Sequence, residues 1–312
     1  MSESRQRFRE GLKEGVRKGL DGFIWMMKII LPVSFLTALL DWSGLLSKID
    51  FLLQPLMALI GLPAAAALPL IIGMLANIYA GIAAMAVLPF SMEQMTLIAV
   101  FLLICHNLIQ EGVVQANSGI HPVKATLFRL TAAVITVWIC SLFLDTKTPV
   151  AAAAGGLPAV SPPFAEMMQA WFLSILGLSL KIFLIIMTIL TFLEIMKKMG
   201  WIHPVVRALS PVLKLMGLSR QVAMLWMTAV VFGLAYGGAV IVEEAKAGHL
   251  TREELQELHL SIGINHSMVE DPSLFLTFGL SPFWLWVPRF ITAVIATRLL
   301  TLWVALRESK RL

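Results

Sequence analysis

"LLICHNLIQEGVVQ" (102–115) begins as an apolar helix and is interrupted at once by His106, Asn107 and Glu111. The pattern returns as "GINHSMVEDPSLF" (263–275), where His266 and Asp271 stand 160 positions after His106 and Glu111. Working outward, Arg129 returns as Arg289 at the same offset, Tyr79 as Tyr236 157 on, and Lys28 and Asp41 as Lys181 and Glu194 153 on. The flanking text agrees: "QPLMALIGL" (54–62) with "SPVLKLMGL" (210–218), and "FRLTAAVI" (128–135) with "PRFITAVI" (288–295). Polar groups repeated in register in so apolar a chain indicate two pseudo-symmetric halves building one site.

A mean hydropathy of +0.84, with 58% hydrophobic and 14% charged residues, excludes an ordinary soluble domain. Windows 23–41, 64–90, 122–145, 167–196, 220–242 and 283–306 each reach the ~20 residues that span a bilayer. The fold class is therefore an all-α polytopic membrane protein, since the short alternating segments of a barrel are not visible. No cleavable signal is visible, and residues 1–22 are polar and basic. The net charge of +5 reads as flanks that hold the protein in the bilayer, with no nucleic-acid partner. Cys105 and Cys140 lie in apolar runs and form neither a CxxC motif nor a disulfide framework. No GxxxxGK[ST], GxGxxG or HExxH motif occurs, so no cofactor and no enzymatic activity are expected.

The organisation reads as a basic cytoplasmic segment (1–22), repeat 1 (23–145), an Ala/Gly/Pro linker (146–165) and repeat 2 (166–312). Lys197, Lys198, Arg207, Lys214 and Arg220 mark the 197–220 loop as cytoplasmic, whereas the equivalent loop 42–63 carries only Lys48. Equivalent loops facing opposite sides require inverted repeats with an odd number of crossings each. Residues 94–105 would reach only about 18 Å as a helix. A re-entrant hairpin at 94–120, matched at 255–281, leaves about three spanning helices and one amphipathic segment per repeat. Both termini are then cytoplasmic, in a bacterial inner membrane.

The candidate substrate- or ion-binding residues are His106, Asn107, Glu111, His266, Ser267, Glu270 and Asp271, joined by Asn77, Tyr79 and Tyr236. Helical spacing i, i+4 brings His266 to Glu270 and His106 to Gln110. Carboxylates inside a membrane cost about 2.5–3.5 kcal/mol each and mark pathways. His106, Glu111, His266 and Asp271 together suit a metal, because imidazole and carboxylate serve several divalent ions. The alternative is a buried network that locks the hairpins, with Arg129 or Arg289 neutralising the acids. Gly81, Gly233, Gly237 and Gly238 beside the tyrosines allow close helix approach or an unwound stretch. Met26, Met27 and the nine tryptophans read as lipid-facing or interfacial. Thr251, with Glu254 three residues on, reads as a helix cap.

"GLPAAAALPLIIGMLANIYAG" (61–81) and "GLSRQVAMLWMTAVVFGLAYGG" (217–238), each followed by a His/Asn/acid interruption, resemble the two units of the nucleoside-recognition, or gate, family. The resemblance covers nearly the whole chain beyond residue 22. It extends to the membrane part of B-type ferrous-iron transporters, to the spore maturation A and B proteins and, more distantly, to concentrative nucleoside transporters. It implies inverted repeats with re-entrant hairpins and a transport role, and it names no substrate.

The combined reading is a membrane transporter or channel for a small polar solute or cation, with its site at the midplane between two hairpin tips. Its partners are the lipid bilayer and that solute, and a homo-oligomer is compatible with the sequence. The competing reading is a non-transporting scaffold or accessory subunit of a larger complex.

Overall fold

The computed structural model describes residues 3–146, 162–201, 204, 213 and 215–309, which are helical apart from short turns and connections. In the first half, α1 is Glu3–Trp42, α2 Leu45–Ala58, α3 Ala67–Leu75, α4 Ile78–Val87, α5 Met92–Ile104, α6 Leu108–Asn117 and α7 Pro122–Ser141. In the second half, α8 is Phe164–Met199, α9 Arg220–Lys246, α10 Arg252–Asn265, α11 Glu270–Phe275 and α12 Pro282–Ser309. Among the described residues, five helical stretches are long and apolar enough to cross a membrane: α1, Met92–Asn117, α7, α8 and Pro282–Trp303. On α8, Leu173, Leu176, Leu180 and Leu184 recur every three or four residues and are each more than half exposed. A stripe of that kind belongs against lipid rather than water. This is a polytopic α-helical membrane protein.

α1 and α8 lie antiparallel. Trp42 meets Phe164 at one end, with ring centroids 5.4 Å apart, and Phe23 meets Phe183 further along. Beyond the apolar stretch, Lys18 bonds Glu194 at 2.6 Å and Lys198 bonds Glu14 at 2.9 Å.

The expected re-entrant segments are corrected. Residues 94–120 break where expected, with Cys105 at φ −133° and Asn107 left-handed at φ 56°, but the chain does not reverse there. At one end Gln94 Nε2 donates to Thr146 O at 3.3 Å. At the break Arg129 of α7 donates to Ile104 O. At the other end the Ser118–His121 turn leads into α7. α5 and α6 therefore form one discontinuous crossing that runs antiparallel to α7. The second half repeats this design. Glu257 faces Thr301, Ile264 faces Arg289, and Met268 faces Trp286, so α10 and α11 cross beside α12. The break there lies at His266–Ser267, with Ser267 at φ 49°.

The reversals fall instead inside windows expected to span. α3 and α4 form a hairpin turned at Ala76, where ψ is −81°, and at Asn77, whose side chain caps Ala80 N. A Cβ on Gly81 would meet Gly73 Cα at 3.1 Å, so the two arms touch through backbone. In α9, a Cβ on Gly237 would meet Ala229 Cα at 2.5 Å. Eight residues of straight helix would hold these positions about 12 Å apart, so α9 also doubles back. The tips are tied to the breaks by matching bonds. Asn107 N donates to Gly73 O at 3.0 Å, and Met268 N donates to Val230 O at 3.1 Å.

Direction follows from the neighbours. Gly279 lies against Met92, whereas Gly119, Arg252 and Trp303 share a cavity at the opposite end. The two broken crossings therefore run in opposite directions through the molecule. The α3–α4 hairpin enters from the Trp42 end, where Val87 lies beside Asp41 and Trp42. The α9 hairpin enters from the Gly119 end, where Ser219 bonds Glu254 at 2.8 Å. Most of the 146–165 linker and of the 203–217 amphipathic segment, including Arg207 and Lys214, lies outside the described residues.

Candidate functional site

The break in each crossing carries its histidine into the centre. A broken helix strands carbonyls that membrane depth leaves unsolvated. A buried arginine takes them in each half. Arg129 donates to Ile104 O and, at 3.0 Å, to His106 O. Arg289 donates to Ile264 O and, at 2.8 Å, to His266 O. Arg129 also reaches into the other half, with Nε donating to Gly263 O at 2.7 Å. Both residues are 1% exposed. Of Arg129 and Arg289, either of which could neutralise the acids, one pairs with an acid. Arg129 contacts Glu111 at 2.7 Å, while Arg289 forms no ion pair among the described residues and its NH1 has no hydrogen-bond partner.

The two histidines meet tip to tip, with Nε2 of His106 3.1 Å from Nε2 of His266. Each Nδ1 faces a carbonyl four residues back: Leu102 O at 2.6 Å and Ile262 O at 3.0 Å. A carbonyl cannot donate, so each Nδ1 carries the proton and each Nε2 of the neutral ring presents a lone pair. Asp271 Oδ2 lies 3.5 Å from His106 Nε2, and Glu111 Oε1 lies 3.4 Å from His266 Nε2. The donor atoms of His106, His266 and Asp271 fall within 4.8 Å of one another. Glu111 stands outside that trio, yet its buried Oε1 has no hydrogen-bond partner. Three acceptor atoms thus converge on one point, with the unpartnered Glu111 oxygen beside His266.

A cavity of about 400 Å³ adjoins this point and is lined by both hairpin and break residues. Tyr79 donates its hydroxyl to Glu270 Oε1 at 2.8 Å, so two sequence candidates pair across the halves. The expected His266–Glu270 face does not form, because the left-handed Ser267 turns the backbone between them. Gln110 accepts from Asn107 Nδ2 at 2.8 Å instead of joining His106. Asn77, Asn107 and Ser267 line the cavity. Tyr236 lies on α9, and its side chain is outside the described residues.

Sequence reasoning missed Gly22, Trp25, Met26 and Leu190, which close the cavity from α1 and α8. Met26, read as lipid-facing, is 2% exposed. Trp25 packs edge-on against Tyr79, with centroids 5.3 Å apart. An apolar residue on a spanning helix gives no local sign of which way it faces. The Thr251 cap formed as read, with Glu254 answering, and both cysteines are free and buried.

Residues 23–118 match the family model described as Gate, nucleoside recognition. The chain is 29% identical over 286 residues to the "Uncharacterized membrane protein YvoD" of Bacillus subtilis (strain 168), covering 91% of each chain. No solved structure matches it. The similarity to the gate, or nucleoside-recognition, family thus lies in the first half of the chain, across the first hairpin and the first broken crossing.

Proposed function

We propose that this protein is a transporter for a small cation, and that the substrate class is a divalent first-row metal ion exchanged against protons. The observation that carries this reading is the facing pair of Nε2 lone pairs on His106 and His266 at 3.1 Å. Metal–imidazole bonds of about 2.0–2.1 Å would close that gap at an N–metal–N angle of roughly 100°. Asp271 supplies the third ligand, and imidazole with carboxylate suits several such ions. When no metal is bound, one proton between the two rings removes the lone-pair repulsion. Metal entry then expels it, because a ligating imidazole must be neutral. The chain moves the ion and performs no bond chemistry on it.

The opposed directions of the two broken crossings, and of the two hairpins, support repeats related by an axis in the membrane plane. Basic residues gather at the Gly119 end, with Lys124, Lys197, Lys198 and Arg252 joining those of 1–22, against Lys48 at the Trp42 end. That bias supports a cytoplasmic Gly119 end and cytoplasmic termini. The acids are used unequally, since Glu111 is held by Arg129 while Asp271 turns to His106. Exchanging these roles gives the opposite-facing state, in which Arg289 takes Asp271 and Glu111 becomes the ligand.

The test is uptake of Mn²⁺, Fe²⁺, Co²⁺ and Zn²⁺ into proteoliposomes. Saturable uptake of at least one ion, with release of protons and loss in His266→Ala, is expected. Uptake of none, or uptake unchanged by His266→Ala, contradicts the reading and favours a scaffold.

A further inference from the structure

A second cavity, of about 250 Å³, opens at the Gly119 end between the α6–α7 turn, α10 and α12, away from the paired histidines. Its rim is basic. His121, Lys124 and Arg252 are exposed there, and no carboxylate belongs to the lining. Its inner wall holds His259, 4% exposed, whose Nε2 has no hydrogen-bond partner among the described residues. Phe128 and Trp303 supply an apolar side.

These features select one chemistry. Cationic groups without a carboxylate repel metal ions and attract an anion. A buried imidazole nitrogen needs a partner, and an oxyanion or ester oxygen provides one. The aromatic wall suits an acyl chain, and tryptophan is favoured where chain and headgroup meet. Basic pockets between membrane helices hold anionic lipid heads in this way. We propose that this cavity binds the phosphate head of an anionic phospholipid, with its acyl chain along Phe128 and Trp303. This site is independent of the cation reading. α10 connects the two, since His259 lies seven residues before His266 on the same helix run.

The experiment titrates purified full-length protein with phosphatidylglycerol, phosphatidylcholine or inorganic phosphate, reading bound lipid by native mass spectrometry and stability by thermal shift. Phosphatidylglycerol should bind and stabilise, and phosphatidylcholine should not. Lys124→Gln and Arg252→Gln, both at exposed positions, should each weaken phosphatidylglycerol binding about fivefold while metal binding stays at the parent level. Equal binding of the two lipids, or variants that bind phosphatidylglycerol like the parent, would overturn the proposal. Full stabilisation by inorganic phosphate alone would keep the anion site and overturn the lipid source.

Discussion

The Nε2 atoms of His106 and His266 stand 3.1 Å apart, with each Nδ1 committed to a backbone carbonyl of its own helix. Neither ring can rotate to offer a proton without breaking that bond. The pair therefore stays open to a cation, and the consequences can be measured.

Removing a ligand should remove the cation. His106→Ala, His266→Ala and Asp271→Asn should each weaken divalent-metal binding at least tenfold while the protein still inserts and purifies. Protons compete for the same Nε2 lone pairs, so binding should weaken in acid and strengthen as pH rises. Equilibrium dialysis at pH 5.5, 6.5 and 7.5 checks this, and the opposite pH trend would count against imidazole ligation.

Arg129 and Glu111 should behave as structure rather than ligand in the captured state. Both are nearly fully buried, and breaking such a pair costs about 3–5 kcal/mol. Arg129→Gln also frees the carbonyls of Ile104, His106 and Gly263. It should lower the melting temperature with or without metal. Asp271→Asn, which removes no arginine partner, should lower it far less.

The doubled-back form of α9 predicts a steric effect. In Gly237→Ala the new methyl would sit 2.5 Å from Ala229 Cα and 2.9 Å from its Cβ. The variant should lose roughly 1–3 kcal/mol. Gly177→Ala on α8 meets nothing within 4 Å and should be neutral or slightly stabilising. Comparing the two melting temperatures tests the hairpin, because a straight α9 would make both changes harmless.

Topology can be read by labelling. Because α5–α6 crosses rather than re-enters, Met92→Cys and Asn117→Cys should react with an impermeant maleimide from opposite sides. Both positions are exposed and the native thiols are buried. Labelling of both from one side would restore the re-entrant assignment.

Near the basic end, the Lys198 ammonium holds the Glu14 carboxyl below the usual carboxylate range through a direct hydrogen bond. A lowered acid contributes stability above its ordinary pKa and loses it as pH falls through the lowered value. The gap between parent and Glu14→Gln in thermal scans should thus be present at pH 7 and close in acid. High salt should shrink it too, since the pair is partly exposed.

Much of this arrangement was legible in the chain, because polar residues in an apolar run have few uses. The His106–Asn107 and His266–Ser267 breaks followed from that alone. What misled was the fold of each break. The His/acid run looks like a tip, yet Arg129 and Arg289 satisfy its loose carbonyls from the neighbouring crossing, so the chain continues in the same direction. The true tip at Ala76–Asn77 looks like a spanning helix with small residues. Its turn is held by a contact 34 residues away, from Asn107 N to Gly73 O, and no local pattern records such a bond. The pairing of Tyr79 with Glu270 was likewise hidden, since it joins residues 191 apart.

X-ray absorption at the zinc edge, on protein loaded with one equivalent of Zn²⁺, tests the central claim most directly. The account predicts two imidazole nitrogens at about 2.0–2.1 Å and at least one carboxylate oxygen, with the nitrogen shell lost in the His106→Ala, His266→Ala double variant. No stoichiometric binding, or a bound ion whose nitrogen shell survives that double change, would contradict it.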